Sequence, residues 1–198
     1  MNKSQCTHQL QTAVNKSPQL LPHQLYLLDN VLPNDVRAEL KQWIDDPIND
    51  FYWQQIKFSN KTHERYTVNL IENCVIEDLY NIFPKITPQI QERLSLPKDC
   101  EFKGLSLWRD LAGYHMDGHT DNLVIYAAMQ IYLFDTVDSE CGTVFDVNSE
   151  NTLVPFKPNT GYLLNNTVPP RLTHWIAMPV PPGQERVSIY AIWTGSKS

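Results

Sequence analysis

The second half of this chain consists of short apolar runs that Gly, Pro, Asn and Asp interrupt at frequent intervals. After Pro97 the runs are EFKGLSLW, LVIYAAMQIYLF, GTVFDV, TLVPFK, GYLLNN and RVSIYAIW. They are rich in β-branched and aromatic residues and bounded by turn residues, which is typical of β-strands. Many short strands of this kind indicate a β-sandwich or barrel, in which two layers or a closed sheet bury the apolar faces. The pattern therefore predicts an all-β C-terminal half.

The first half has a different texture, with helices and a few strands. Residues 1–22 are rich in Gln, Asn, Ser and Lys and show little apolar periodicity, which favours a flexible leader. The stretch PNDVRAELKQWIDD has apolar residues on one helical face, and Pro47 closes this predicted helix. Apolar residues at helical spacing continue over residues 76–94, where Pro84 and Pro88 predict a broken helix.

Chain length and net charge indicate the number of domains and the classes of partner to expect. A chain of 198 residues is long enough to bury a core as one domain. We expect this domain over residues 23–198, with a helical and strand buttress at about 23–97 and a β core at about 98–195. The net charge of −6 argues against the phosphate backbone of a nucleic acid as the main partner.

Cysteine usage and hydropathy indicate the compartment. The four cysteines are scattered without a CxxC pair, which indicates reduced thiols rather than a disulfide framework. The N-terminal stretch lacks the basic and apolar regions of a secretory signal, and no apolar run is long enough to span a membrane. We therefore expect a cytoplasmic protein without a membrane partner.

Two overlapping His-x-Asp pairs occupy the polar stretch GYHMDGHTDN, which joins two predicted strands. The pairs are His115 with Asp117 and His119 with Asp121. On an extended segment, residues two apart project from the same side of the chain. Either pair can therefore offer a nitrogen and an oxygen to one metal ion, and spacing alone does not choose between them.

A further histidine and an arginine follow in the later predicted strands. His174 precedes the last strand, and Arg186 lies inside it. Two histidines and one carboxylate make the facial triad that suits non-haem Fe(II), because three octahedral positions stay open for a bidentate substrate and dioxygen. A rolled β structure can bring an early loop beside a late strand. An arginine inside such a cavity anchors a carboxylate through two parallel hydrogen bonds.

These features occur in the order known from the Fe(II)/2-oxoglutarate-dependent dioxygenases. The segments WRDLAGYHMDGHTDNLVIYAAMQIYLFD, CGTVFDV, TGYLLNN and THWIAMPVPPGQERVSIYAIW together resemble that family, in the style of its prolyl-hydroxylase-like branch. The earlier YLLDNVLPNDVRAELKQWID is similar to the strand and helix that precede the family's core, so the resemblance spans roughly residues 23–194. It implies a mainly β protein with N-terminal helices, built on a double-stranded β-helix, the jelly roll that cupins share.

The resemblance also implies a set of metal ligands. His119, Asp121 and His174 would hold Fe(II). In the family the His-x-Asp motif leads directly into the next strand, as Asp121 does here, whereas Asp117 is followed by a glycine. The later pair is therefore preferred over His115 and Asp117.

The remaining roles follow from the same comparison of motifs. Arg186 would bind the far carboxylate of 2-oxoglutarate, helped by Ser188, two residues further along the same face of the strand, and by the hydroxyl of Tyr132. Substrate contacts are expected from His115 at the pocket rim, from Arg109 and from Trp193.

The activity implied by the resemblance is a hydroxylation. Fe(II), 2-oxoglutarate and O2 would be the cofactor and cosubstrates, and ascorbate is a candidate reductant. The reaction would convert 2-oxoglutarate to succinate and CO2 and hydroxylate an unactivated C–H bond of a small molecule, an amino acid or a peptidyl side chain. The sequence does not identify the substrate or the oligomeric state.

Two alternatives remain beside the hydroxylase. A cupin-like protein that binds a metal or small molecule without oxidation would use the same fold. Such a binder does not need the cavity arginine, Arg186. A nucleic-acid demethylase of the same superfamily is disfavoured by the acidic charge and by the lack of a second arginine soon after Arg186.

Overall fold

The computed structural model describes residues 1–58, 61–69 and 74–195, which form helices first and strands afterwards. The α-helices are α1 (Lys3–Lys16), α2 (Asn34–Asp45), α3 (Val75–Ile82) and α4 (Thr87–Leu94), with 3₁₀ turns at Pro47–Tyr52, Phe83–Ile86 and Ser139–Cys141. The strands are β1 (Gln19–Leu21), β2 (Leu25–Asp29), β3 (Gln54–Phe58), β4 (Lys61–Val68), β5 (Glu101–Asp110), β6 (Ile125–Tyr132), β7 (Thr143–Val147), β8 (Glu150–Val154), β9 (Thr160–Asn165), β10 (His174–Ile176) and β11 (Arg186–Thr194). None of the helices in the described ranges is long and apolar enough to cross a membrane.

The strands form two antiparallel sheets. The large sheet has eight strands in the order β1-β2-β9-β6-β11-β5-β4-β3, and the small sheet has three in the order β10-β7-β8. Every apolar run of the second half became a strand, so the predicted mainly β fold with N-terminal helices is confirmed. The short strand β10 was not expected, since its residues His174–Ile176 follow a Pro-rich stretch without an apolar run.

Each face of the large sheet covers a separate apolar core. One core lies between this sheet and the helices, and the other lies between the two sheets. Strand β11 contributes to both, because successive side chains of a strand point to opposite faces. The helix-side residues of this strand are Val187, Ile189, Ala191 and Trp193. Arg186, Ser188 and Tyr190 project to the side of the small sheet.

The N-terminal segment differs from the flexible leader expected for residues 1–22. Helix α1 begins after Asn2, whose side chain accepts a hydrogen bond from the backbone N–H of Gln5 at 3.1 Å. Cys6, Leu10 and Val14 recur at helical spacing and are buried in the helix-side core. The helix was not evident from the polar composition, because one apolar residue per turn is enough to pack a polar helix against its neighbours.

The proline positions predicted the break in the second helical region. Helix α3 ends at Ile82, and a 3₁₀ turn at Phe83–Ile86 carries the chain into helix α4. Pro88 lies in the first turn of α4, where its missing N–H costs no hydrogen bond. The two short helices pack on the large sheet and leave its other face to the small sheet and the site.

Candidate metal centre

His119 and His174 face each other across a short antiparallel bridge. The backbone N–H of His119 donates to the carbonyl of His174 at 3.1 Å, and the reverse bond measures 2.9 Å. The centroids of the two imidazole rings lie 4.4 Å apart. His119 belongs to the loop between β5 and β6, whereas His174 opens β10. The jelly-roll path thus brings the early loop to the late strand, as the sequence predicted.

Asp121 completes a cluster of three ligand atoms, which lie within 4.8 Å of one another. Its Oδ1 is 3.8 Å from His174 Nε2. The Nδ1 of His119 contacts the carbonyl oxygen of Asp117 at 3.0 Å, and the Nδ1 of His174 contacts that of Leu172 at 3.3 Å. A backbone partner at Nδ1 sets the tautomer and leaves Nε2 as the ligand atom. The arrangement can therefore bind a metal through two nitrogens and one oxygen.

Two neighbours hold the Asp121 carboxylate in place, and a third holds its backbone. Asn166 Nδ2 donates to Oδ2 at 2.9 Å, and the Tyr190 hydroxyl donates to Oδ1 at 3.4 Å. Arg171 donates from NH1 to the Asp121 backbone carbonyl at 2.5 Å. Because the amide occupies Oδ2, the other oxygen is the one that faces His174.

Burial sets the protonation states around this carboxylate. Burial lowers the pKa of His174, and the opposing charge of Asp121 does not cancel that effect. His174 is therefore neutral near pH 7, with a lone pair available for a metal. Burial and the Asp121 charge raise the pKa of Tyr190 well above its ordinary value, so its hydroxyl stays protonated and donates.

Arg186 lines the same cavity as the three candidate ligands. Its side chain is 1% exposed, and its guanidinium carbon lies 5.9 Å from the ring centre of Tyr132 and 5.5 Å from that of Phe156. NH1 lies 3.4 Å from Asp110 Oδ2. The buried Nε has no hydrogen-bond partner among the described residues. A buried guanidinium with a donor still open is suited to a carboxylate ligand.

Tyr132 and Ser188 lie beside Arg186, as the sequence predicted, and both hydroxyls already have hydrogen-bond partners in the protein. They are directly opposite each other in the β6–β11 register. The Tyr132 hydroxyl donates to Thr143 Oγ1 at 2.8 Å, and Ser188 Oγ accepts from Gln130 Nε2 at 3.0 Å. Both hydroxyls are therefore buried neighbours of the guanidinium that already have protein partners.

The surface pair His115 and Asp117 does not line the cavity in the described structure. His115 Nε2 lies 3.3 Å from Asp117 Oδ1, and both side chains are exposed. His115, which the sequence assigned to the substrate at the pocket rim, turns toward Asp117 of its own loop and not toward the metal cluster. Of the two His-x-Asp pairs, only His119 and Asp121 meet His174 among the described residues.

Arg109 and Trp193, the other two residues that the sequence assigned to the substrate, also lie away from the cavity. Arg109 Nε pairs with Glu185 Oε2 at 2.7 Å, because Arg109 projects from the face of β5 opposite to Trp108. Trp193 is fully buried in the helix-side core and donates from Nε1 to Thr87 Oγ1 at 3.0 Å. Strand alternation explains the position of Trp193. Residues at even positions of β11 line the cavity, and a residue at an odd position points to the opposite face.

The cavity wall contains a buried ion pair that the sequence did not predict. Arg65 donates to Asp110 from Nε at 2.5 Å and from NH2 at 2.9 Å. Its guanidinium carbon also lies 4.0 Å from the ring centre of Trp108 and 4.4 Å from that of Tyr114. The two residues meet because they are opposite each other in the β4–β5 register. Their spacing along the chain carries no such signal.

Solved structures with this architecture are known, although neither the models of known protein families nor the curated protein sequences match the chain. A prolyl-4-hydroxylase from Pseudomonas putida aligns with a TM-score of 0.71 at 14% identity, covering 95% of this chain and 100% of that one. A prolyl hydroxylase from Trichoplax adhaerens, solved with a hypoxia-inducible-factor peptide, aligns with a TM-score of 0.68 at 14% identity, covering 98% and 90%. A non-haem alpha-ketoglutarate-dependent epimerase of nogalamycin biosynthesis aligns at 0.60 and 12% identity, covering 97% and 84%.

These alignments cover nearly the whole chain and include both sheets and the N-terminal helices. Their low identity limits what they show to the fold, whereas the cluster of His119, Asp121 and His174 is a property of this chain. The chain has the double-stranded β-helix fold of the prolyl hydroxylases and other 2-oxoglutarate-Fe(II) oxygenases.

Proposed function

We propose that this protein is a non-haem Fe(II)- and 2-oxoglutarate-dependent dioxygenase that hydroxylates an unactivated C–H bond. One observation carries the proposal: the cluster of His119, Asp121 and His174 shares its cavity with the buried guanidinium of Arg186. A metal cluster alone would suit a cupin-like binding protein equally well. A buried cation with an open donor beside that cluster calls for an anionic ligand next to the metal.

The donor set fits Fe(II). Two neutral imidazoles and one carboxylate are the facial triad of non-haem iron oxygenases, which leaves three positions for other ligands. His119, Asp121 and His174 would hold the ion. Asn166 and the backbone carbonyls at the two Nδ1 atoms would fix the orientation of these ligands, which is the usual role of the groups behind a metal site.

The charges of the cavity fit 2-oxoglutarate. Two guanidinium groups, Arg65 and Arg186, share the single carboxylate of Asp110, so this part of the wall carries one unbalanced positive charge. The far carboxylate of 2-oxoglutarate would neutralise it at Arg186, where Nε is an unused donor. The Tyr132 hydroxyl lies nearby and stays protonated, because burial raises its pKa. Tyr132 and Ser188 would support this subsite from beside Arg186.

When bound, Fe(II) and 2-oxoglutarate would supply the oxidation, in which 2-oxoglutarate, O2 and the substrate C–H bond are converted to succinate, CO2 and the hydroxylated substrate, with one oxygen atom of O2 in succinate and the other in the product. The residues of the chain bind and orient the reactants and limit the access of water to the cavity. The substrate proposed is a small molecule, an amino acid or a peptidyl side chain, because the similar structures include both a peptide-bound prolyl hydroxylase and an epimerase of a natural product. Ascorbate is the proposed reductant.

The proposal is tested by adding Fe(II) and then 2-oxoglutarate under anaerobic conditions and recording the visible absorption that chelation of Fe(II) by a 2-oxo acid produces. The wild-type protein should develop the band. His174→Ala should lose it because the metal is lost. Arg186→Ala should retain Fe(II) but need at least about 30-fold more 2-oxoglutarate, the equivalent of about 2 kcal/mol for a lost charged hydrogen bond.

Arg109→Ala is the matched control, since this arginine pairs with Glu185 outside the cavity. It should bind 2-oxoglutarate like the wild type. A His174→Ala or Arg186→Ala variant that titrates like the wild type would contradict the proposed site. Binding of Fe(II) without any response to 2-oxoglutarate would instead favour the cupin-like binding protein.

A further inference from the structure

A larger space adjoins the metal cavity. Small-molecule sites usually measure about 300–1,000 Å³. An open groove of about 360 Å³ adjoins the cavity, and Trp108 and Tyr190 line both spaces. The groove is therefore the space next to the candidate metal ligands in which a substrate of ordinary size can lie.

Trp108 and Tyr190 form a stacked pair at the boundary of the two spaces. Their ring centres lie 4.1 Å apart with an interplanar angle of 17°. The indole also contacts the guanidinium of Arg65, at 4.0 Å from its ring centre. The Tyr190 hydroxyl reaches Asp121 Oδ1 at 3.4 Å. A molecule in the groove would therefore touch the same side chains that surround the proposed iron and cosubstrate.

Gly104 lies in the groove wall, inside β5, at a position where packing does not require a glycine. At Gly142 and Gly161, a Cβ atom would come within 2.0 Å and 1.9 Å of a backbone oxygen, so close packing demands glycine there. At Gly104, the nearest described atom to such a Cβ is the Tyr80 hydroxyl oxygen, at 4.0 Å. A glycine inside a strand weakens it and often marks a place where a ligand approaches closely.

The neighbouring irregularity of the strand does not require this glycine either. The β5–β11 register shifts between the pairs Ile192–Gly104 and Trp193–Phe102, so Lys103 has no partner in the ladder. A bulge demands glycine where the residue adopts a left-handed conformation. Gly104 has no positive φ. Neither packing nor backbone conformation in the described fold therefore requires a glycine at this position.

Within the described ranges, the groove is lined by uncharged side chains. Besides Trp108 and Tyr190, its wall includes Asn69, Tyr80, Ser106 and Ile192. Ser106 Oγ donates to Asn69 Oδ1 at 2.8 Å, so polar groups are present without a formal charge. A charged ligand group would lose water here without gaining a counter-ion, whereas an uncharged group with a hydrogen-bonding atom would find both apolar surface and partners.

We propose that this groove binds an uncharged part of the substrate, with Gly104 providing the space for it. The proposal rests on the proposed function, since the molecule held here is the one presented to the iron. It specifies a substrate whose group beside the metal centre is a neutral organic group, in contrast to the charged wall at Arg65 and Arg186 that takes the cosubstrate.

The test uses three probes of one shape and different charge: benzamide, benzoate and benzamidine. Each is added to the ¹⁵N-labelled full chain, and the backbone amide signals of Gly104, Ser106 and Ile192 are followed by NMR. Benzamide should shift these signals with a dissociation constant at least about tenfold lower than that of either charged probe. Gly104→Leu, which fills the groove, should weaken benzamide binding by at least about tenfold. Lys103→Leu, at an exposed position of the same strand, should leave it unchanged.

Equal or tighter binding of benzoate or benzamidine would overturn the assignment of an uncharged ligand. Unchanged benzamide binding to Gly104→Leu, or no shift with any probe, would overturn the groove as a site. The titrations need neither Fe(II) nor 2-oxoglutarate. A failure of the groove is therefore distinguishable from a failure of the proposed oxygenase, which the anaerobic titration decides separately.

Discussion

Replacing Asp110 by asparagine removes a negative charge that two buried guanidinium groups share. The carboxylate accepts from Arg65 at 2.5 and 2.9 Å and from Arg186 at 3.4 Å. Burial alone would lower the pKa of Arg65, but the charge and hydrogen bonds of Asp110 outweigh burial and raise it above the ordinary value. Asparagine has nearly the same shape as aspartate, so the change is mainly electrostatic.

The expected loss of stability follows from the burial of this ion pair. The side chains of Arg65 and Asp110 are 4% and 1% exposed, so solvent screens their attraction little. Removing one partner of a buried pair costs about 3–5 kcal/mol, because the remaining charge stays buried without compensation. We expect the free energy of unfolding to fall by about 4 kcal/mol. For a chain of this size, that corresponds to a melting temperature lower by about 8–16 °C.

Urea unfolding followed by tryptophan fluorescence and circular dichroism measures this loss. Asp45→Asn provides the control, because Asp45 pairs with Lys41 at the surface, with 56% and 54% of the side chains exposed. That variant should lose less than about 0.5 kcal/mol. If Asp110→Asn loses less than about 1 kcal/mol, the electrostatic account of this wall is wrong.

Three further perturbations probe other parts of the structure. Asn166→Ala should weaken Fe(II) binding by about 10- to 100-fold in a calorimetric titration, because Asp121 loses the amide that orients it. Trp193→Ala should lower the free energy of unfolding by about 3–5 kcal/mol, yet leave 2-oxoglutarate binding unchanged, since the indole lies in the helix-side core. Burial raises the pKa of Cys6 to about 12 and that of Cys100 to about 11. Both thiols should react slowly with a disulfide reagent at pH 8 until the protein is denatured.

Much of the fold was predictable because local residue patterns set it. Pro84 and Pro88 predicted the broken helix, and the alternation of apolar runs with turn residues predicted the strands of the second half. Helix α1 was not predicted because its apolar face is narrow and the helix gains its stability from the helices on which it packs. Strand β10 was not predicted because His174–Ile176 is held extended by pairing with distant residues, among them Phe145, Val144 and Thr143.

Some residues of the candidate site were also predictable from the sequence, and others were not. Residue types and their order along the chain predicted His119, Asp121, His174 and Arg186, and the structure brings them into one cavity. The assignment of Trp193 to the substrate overlooked the alternation of β11, which puts Trp193, seven residues after Arg186, on the opposite face of the strand.

The sequence by itself determined the chemistry that this protein has available: two imidazoles, one carboxylate and one strand arginine, on a chain whose strand pattern rolls them together. The tertiary structure alone decided how these groups are held. The β4–β5 register made Arg65 and Asp110 a buried pair, and the packing around Gly104 left an uncharged groove beside the metal cavity. Both depend on contacts between residues far apart in the chain, and spacing along a sequence carries no information about such contacts.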